Sequence, residues 1–164
     1  MAEYTAITPE AHAEKVWKNV LGYGFSTADN VIPLAAEELS KAVTTMPVGF
    51  IEQDSGYQLV AITSLQAARN LYVTPDGKWL GLYVPANLRA YPFGLLKPES
   101  SEKLVLCINE ASGLVVESTE EGNAFFDDQN QPTQKIKDVI NFLSKFRSSL
   151  KVTELAVKTL DDAG

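Results

Sequence analysis

"MPVGFIEQDSGYQLVAIT", residues 46–63, decides the architecture. It holds two apolar runs of strand length, 46–51 and 57–63, separated by "EQDSG". Apolar and β-branched runs around such turn chemistry read as a β-hairpin. A second pair follows: "NLYVT" (70–74) and "KWLGLYV" (78–84), joined by "PDG". There Pro75 sets φ, Asp76 tolerates a turn and Gly77 accepts a positive φ, while Pro85 stops the second strand. Two hairpins in the middle of the chain point to an antiparallel sheet.

The flanks read as helical. Thr8-Pro9-Glu10 is a helix start, with a capping hydroxyl, proline at the first position and an acid in the first turn. The helix would run through Trp17 to about Val20, although Val16, Lys18 and Val20 also alternate as a strand does. Residues 22–30 read as loop. From Pro33, Leu34, Leu39 and Val43 recur near helical spacing, with Glu37 and Glu38 early and Lys41 late, so a helix is expected. Residues 103–108 read as a buried strand with "GLVVES" pairing to it, and residues 120–132 break into loop. From Thr133, the residues Ile136, Val139, Ile140, Leu143, Phe146 and Leu150 recur at spacings of three and four, the mark of an amphipathic helix. "TELAVKTLDDAG" reads as a last short helix whose Asp161 and Asp162 oppose the helix dipole. Residues 98–102 form a polar loop too short for an interdomain linker. The expected fold is α+β, one domain over residues 1–164, with an antiparallel sheet built from hairpins and helices at both ends.

Composition narrows the function. The 164 residues are 45% hydrophobic and 21% charged, enough for one domain with a proper core. A net charge of -7 repels phosphate backbones, and Arg69, Arg89 and Arg147 form no basic cluster, so neither nucleic acid nor an anionic membrane is an expected partner. Cys107 is the sole cysteine, which rules out an intramolecular disulfide and fits a reducing cytoplasm. "MAEYTAITPEAHAEK" lacks the basic and apolar regions of a signal peptide. No apolar run reaches the roughly 20 residues that span a bilayer.

The residues carry little chemistry. His12 is the only histidine and Cys107 has no thiol neighbour, so a zinc site is not expected. Residues 127–138, "DDQNQPTQKIKD", resemble a calcium loop but lack its sixth-position glycine and end in Asp138 instead of glutamate. Ser112 lies in "EASGL", a turn and not a nucleophile elbow. A Cys107–His12 pair is conceivable, but Cys107 sits inside "LVLCI" and reads as packed, and His12 as a helix-surface or packing residue. Phosphate loops are absent, and the acids Glu117, Glu120, Glu121, Asp127 and Asp128 read as solvated loop faces. No catalytic residue, metal ligand or cofactor is assigned. One cluster remains: Trp79, Tyr83, Arg89, Tyr91 and Phe93, which either line a groove for a ligand or partner or pack a core.

The same stretch carries a family likeness. "NLYVTPDGKWLGLYVPANLRAYPFG", with "VIPLAAEEL" (31–39), "MPVGF" (46–50), "LVLCINEAS" and "GNAFFDDQNQPT", resembles the SapC family of bacterial proteins. Lys78 stands where the family has arginine, Asn109 where it has aspartate, and Gln131 where it has glycine. Family chains also tend to continue past the position of Gly164. The resemblance implies a shared fold, an association with surface layers, and an accessory role beside outer-membrane receptors and flavin-dependent halogenase-like enzymes. Surface localisation by non-classical export follows from the same likeness. Three readings result. The first is a non-enzymatic accessory or interaction protein using the aromatic–arginine cluster toward a protein partner or small ligand. The second is a small-molecule-binding or enzymatic domain using the same cluster, with Cys107. The third is a structural subunit of a surface layer.

Overall fold

The computed structural model describes residues 4–54, 56–97 and 103–163. The polar stretch 98–102 and Ser55 of the first turn lie outside the described residues. The elements in chain order are β1 (Tyr4–Ala6), α1 (Pro9–His12), β2 (Lys15–Trp17), β3 (Val31–Pro33), α2 (Leu39–Ala42), β4 (Val48–Gln53), β5 (Gly56–Ile62), α3 (Ala86–Ala90), β6 (Phe93–Leu96), β7 (Val105–Asn109), β8 (Val115–Glu117), β9 (Asn123–Ala124) and α4 (Gln134–Ala163). Among the described residues every paired strand is antiparallel, and the strands form three small sheets. The fold is α+β. It gathers into two compact units: Met1–Leu21 with Ala90–Ser144, and Gly22–Arg89 with Lys145–Gly164.

The first unit holds two of the sheets, ordered β1-β7-β6 and β8-β2-β9. Its core is Phe93, Ile108, Phe125, Ile136 and Leu143, with Trp17, Leu95, Leu106, Val139 and Ile140 packed around them. Ile136, Val139, Ile140 and Leu143 are the helical stripe expected from their spacing. Burying each of the large core side chains contributes about 1.5–3 kcal/mol. The expected first helix is a single turn here. Val16 is buried on the middle strand of its sheet, paired to Val116 on one side and Ala124 on the other. The strand-like alternation of that segment wins because sheet pairing on two sides outweighs helix propensity. "GLVVES" therefore pairs with β2 and not with the 103–108 strand, whose partners are β1 and β6.

The second unit is built on the opening hairpin. β4 and β5 pair from Val48↔Ala61 to Gln53↔Gly56, and β3 adds to the other edge of β5. Leu59, Val60 and Ala61 are buried, and the core continues through Ile32, Leu34, Met46, Leu88 and Val157. The helix expected after Pro33 is a 3-10 turn at Ala36–Glu38 leading into α2. The separate last helix is instead the continuation of α4, which runs unbroken from Gln134 to Ala163. Residues 134–144 belong to the first unit and the remainder to the second.

The second expected hairpin is the main correction. Its turn forms: the Gly77 N–H donates to the Thr74 carbonyl, the Thr74 N–H to the Lys78 carbonyl, and Gly77 has φ +82°. Gly77 meets a second backbone as well, since the Tyr23 N–H donates to its carbonyl at 2.7 Å. A Cβ on Gly22 would lie 2.9 Å from that same oxygen, so glycine at 22 permits the close approach. Beyond the turn the ladder stops at one bridge, Val73↔Trp79. Past it, the Trp79 indole N–H donates to the Tyr83 carbonyl at 2.8 Å and folds residues 79–83 into a loop.

Candidate functional site

The 79–89 segment of the second unit is organised around a carboxylate. Glu38 is 4% exposed, at the end of the 3-10 turn before α2. Its Oε2 accepts the Ala35 N–H at 2.9 Å. Its Oε1 accepts the Tyr83 hydroxyl and the Ala86 N–H, each at 2.7 Å. One buried acid thus closes its own turn, starts α3 and anchors the end of the 79–83 loop. Burial, then the bond to Glu38, pushes the Tyr83 phenol up to about 12. Tyr83 stays protonated through the physiological range.

Aromatic packing fixes the rest of the loop. The Trp79 ring stacks on Tyr72 at 5.5 Å and 28° and tilts against Tyr23 at 5.6 Å. The Tyr72 hydroxyl donates to the Thr45 carbonyl. Arg89, at the exposed end of this set, donates from Nε to the Val84 carbonyl at 3.1 Å. Its guanidinium lies 5.9 Å from the Tyr83 ring centroid. Between the fixed ends, Leu80 and Leu82 project into solvent, 62% and 95% exposed.

The candidate residues divide between the units. Trp79, Tyr83 and Arg89 come together in the second. Tyr91 and Phe93 belong to the first, where Phe93 is 5% exposed and meets Trp17 edge-on at 4.9 Å. Phe93 is a core residue with no ring surface to offer. Tyr91 precedes Pro92 across a cis peptide bond. Burial, together with Tyr91 and Cys107, raises the phenol of Tyr4. Cys107 is buried, its thiol facing the Val105 carbonyl at 3.6 Å, and burial pushes its pKa up. A thiol held in its protonated form is a poor nucleophile.

One polar centre escaped the sequence reading, and another was read only as a helix-surface or packing residue. Glu38 was grouped with Glu37 as a first-turn acid. The usual signature of a capping box is a hydroxyl residue three positions before the acid, and here that position is Ala35. The other centre is His12 of the first unit. It is fully buried, edge-on to Phe125 at 5.1 Å, and its Nε2 lies 3.2 Å from Glu110 Oε1. The 127–131 loop turns inward on itself: Asp127 Oδ1 accepts the Gln129 and Gln131 N–H groups, each at 2.9 Å. Among the described residues no helix is long and apolar enough to cross a membrane.

No curated protein and no solved structure matches the chain. The SapC family model, in contrast, matches residues 7–164. That span takes in the Glu38-centred set, the 79–83 loop and the buried histidine alike, and the chain belongs to the SapC family.

Proposed function

We propose that the chain is a non-enzymatic accessory or interaction protein, serving a surface layer or uptake at the outer membrane, and that it meets a protein partner through residues 79–89. One observation carries this reading: a loop fixed at both ends holds two leucines in solvent. The Trp79–Tyr83 bond, the stack on Tyr72 and the Tyr83–Glu38 bond set the loop's shape in the free protein. Binding a preformed loop costs less ordering entropy than binding a flexible one. Leu80 and Leu82 then supply apolar area for a partner to cover, with the Arg89 cation beside the Tyr83 ring. Trp79 and Tyr83 act as supports, and Phe93 as core.

The enzymatic reading fits the same residues less well. The polar groups of the cluster are engaged by one another. Both Glu38 oxygens are taken by donors, the Trp79 N–H is bonded, and the Cys107 thiol is buried and protonated.

A photo-crosslinking residue at position 82 of the full chain, compared with one at exposed Lys41, tests the proposal in living cells. The expected result is one defined protein adduct from position 82 and none from position 41. Affinity for that purified partner should fall about tenfold or more in the Leu80→Ser, Leu82→Ser double variant. An adduct with a second copy of this chain would assign a surface-layer subunit instead. Equal labelling from both positions, or full affinity in the double variant, would sink the reading.

A further inference from the structure

His12 is the chain's one histidine, and it is held where a proton would matter. Its Nδ1 accepts the Thr8 N–H at 3.4 Å, across the turn in which the Thr8 carbonyl accepts the His12 N–H at 3.0 Å. Phe125, itself fully buried, closes one side of the ring. On the other side Glu110 Oε1 lies 3.2 Å from Nε2, out of line for a full hydrogen bond, and 3.6 Å from Lys15 Nζ. Since Nδ1 accepts a backbone N–H, the ring is neutral and its proton is on Nε2.

We propose that His12 is an acid-sensitive latch on the β1–α1 corner: as the neutral ring it holds the Thr8 amide, and on protonation it releases it. An imidazolium carries N–H on both nitrogens. Its Nδ1–H would face the Thr8 N–H, donor against donor, at a ring that is fully buried. Uptake of the proton therefore favours the open corner over the closed one. The charged groups that act on the ring are Glu110, from the turn after β7, and Lys15, from β2; Phe125 brings only hydrocarbon. Burial holds the pKa below the ordinary 6.5, Glu110 pulls it back toward the imidazolium, and Lys15 acts in the same direction as burial. The sign follows. Above 6.5 the closed and open corners are both neutral at His12 and the latch is at full strength. As pH falls below 6.5 the open form takes the proton first and gains on the closed form, until the closed form protonates as well.

The single histidine makes the test clean. Nuclear magnetic resonance of the full chain follows the His12 ring protons and the exchange protection of the Thr8 amide across pH 7.5 to 4.5, with intrinsic exchange rates divided out. The ring should titrate below 6.5. Protection at Thr8 should fall by up to about tenfold per pH unit over the same range. In His12→Asn, whose side-chain oxygen accepts the same N–H without titrating, that pH dependence should vanish. In Glu110→Gln, which removes the carboxylate that favours the imidazolium, the ring midpoint should move to lower pH, and the loss of protection, still beginning near 6.5, should continue further down and grow larger. If His12→Asn does not fold, the wild-type titration and Glu110→Gln still decide. A ring midpoint at or above 6.5, or Thr8 protection that ignores the ring's titration, would overturn the latch.

Discussion

Each unit buries an ionisable side chain beside a short helix, His12 in the first and Glu38 in the second, and the two are treated in opposite ways. Glu38, in the second unit, meets three donors at 2.7–2.9 Å and spends both oxygens on them. His12, in the first, has one long bond at Nδ1 and an unaligned neighbour at Nε2. The indoles repeat the contrast. Trp79 Nε1 is bonded to the Tyr83 carbonyl, whereas Trp17 Nε1 is buried with no hydrogen-bond partner among the described residues. A buried polar group that is fully met locks its surroundings, and one that is half met leaves a weakly held point. The second unit uses its polar atoms to fix a loop. The first leaves slack around a titratable ring.

The largest expected effect tests the lock. Glu38→Ala leaves the Ala35 and Ala86 N–H groups and the Tyr83 hydroxyl without their acceptor, at a cost of about 3–5 kcal/mol measured by urea unfolding. Glu38→Gln keeps one oxygen and should cost less. Tyr83 offers a second readout, by ultraviolet titration. Its folded pKa of about 12 lies above the ordinary 10, so the stability it lends is present below 10 and is lost as pH climbs from 10 through 12. In Glu38→Gln the phenol should titrate lower, and in Tyr83→Phe that alkaline loss should disappear. A Tyr83 midpoint unmoved by Glu38→Gln would show that burial alone sets it.

The second effect sets the two indoles side by side. Trp79→Phe deletes a satisfied donor, orphans the Tyr83 carbonyl and loosens the loop. Trp17→Phe deletes an orphan and keeps a ring against Phe93. Both lose volume, so the difference between them isolates the hydrogen bond. Trp79→Phe should be the more destabilising by about 1–2 kcal/mol. Equal losses would mean that packing governs both sites and that the contrast between the units is not energetic.

The same contrast explains what the sequence could disclose. The β4–β5 hairpin and the start of α4 were legible because apolar periodicity alone specifies them. The 78–84 run misled because it alternates as a strand does: Trp79, Gly81 and Tyr83 are half-buried, while Leu80 and Leu82 are exposed. Alternation reports burial on one side, and a loop folded by an indole–carbonyl bond produces the same pattern as a ladder. β2 was read as helix because its partners, β8 and β9, lie about a hundred residues along the chain. The Glu38 site was hidden for a different reason. Its donors are backbone amides and one phenol 45 residues away, and backbone donors leave no mark in a sequence. Phe93 shows the limit from another side: its cluster could line a groove or pack a core, and the chain carried this ring into a core.

The smallest expected effect concerns an exposed carboxylate with one oxygen doubly bonded by its own loop. Asp127 Oδ1 receives the Gln129 and Gln131 N–H groups in the open loop 127–131, where water competes for both. An asparagine presents the same oxygen to the same donors. Asp127→Asn should therefore cost only a few tenths of a kcal/mol, while Asp127→Ala, which frees both amides, should cost about 1 kcal/mol. The pair of variants also tests the calcium-loop likeness of this stretch. If the carboxylate serves as an intraloop cap, millimolar calcium should leave the melting temperature of the wild type and of Asp127→Asn equally unmoved. If calcium raises the wild-type melt and Asp127→Asn abolishes the rise, the negative charge matters and not merely the acceptor. The loop would then be a cation site, and capping of its own backbone would not by itself mark a purely structural role.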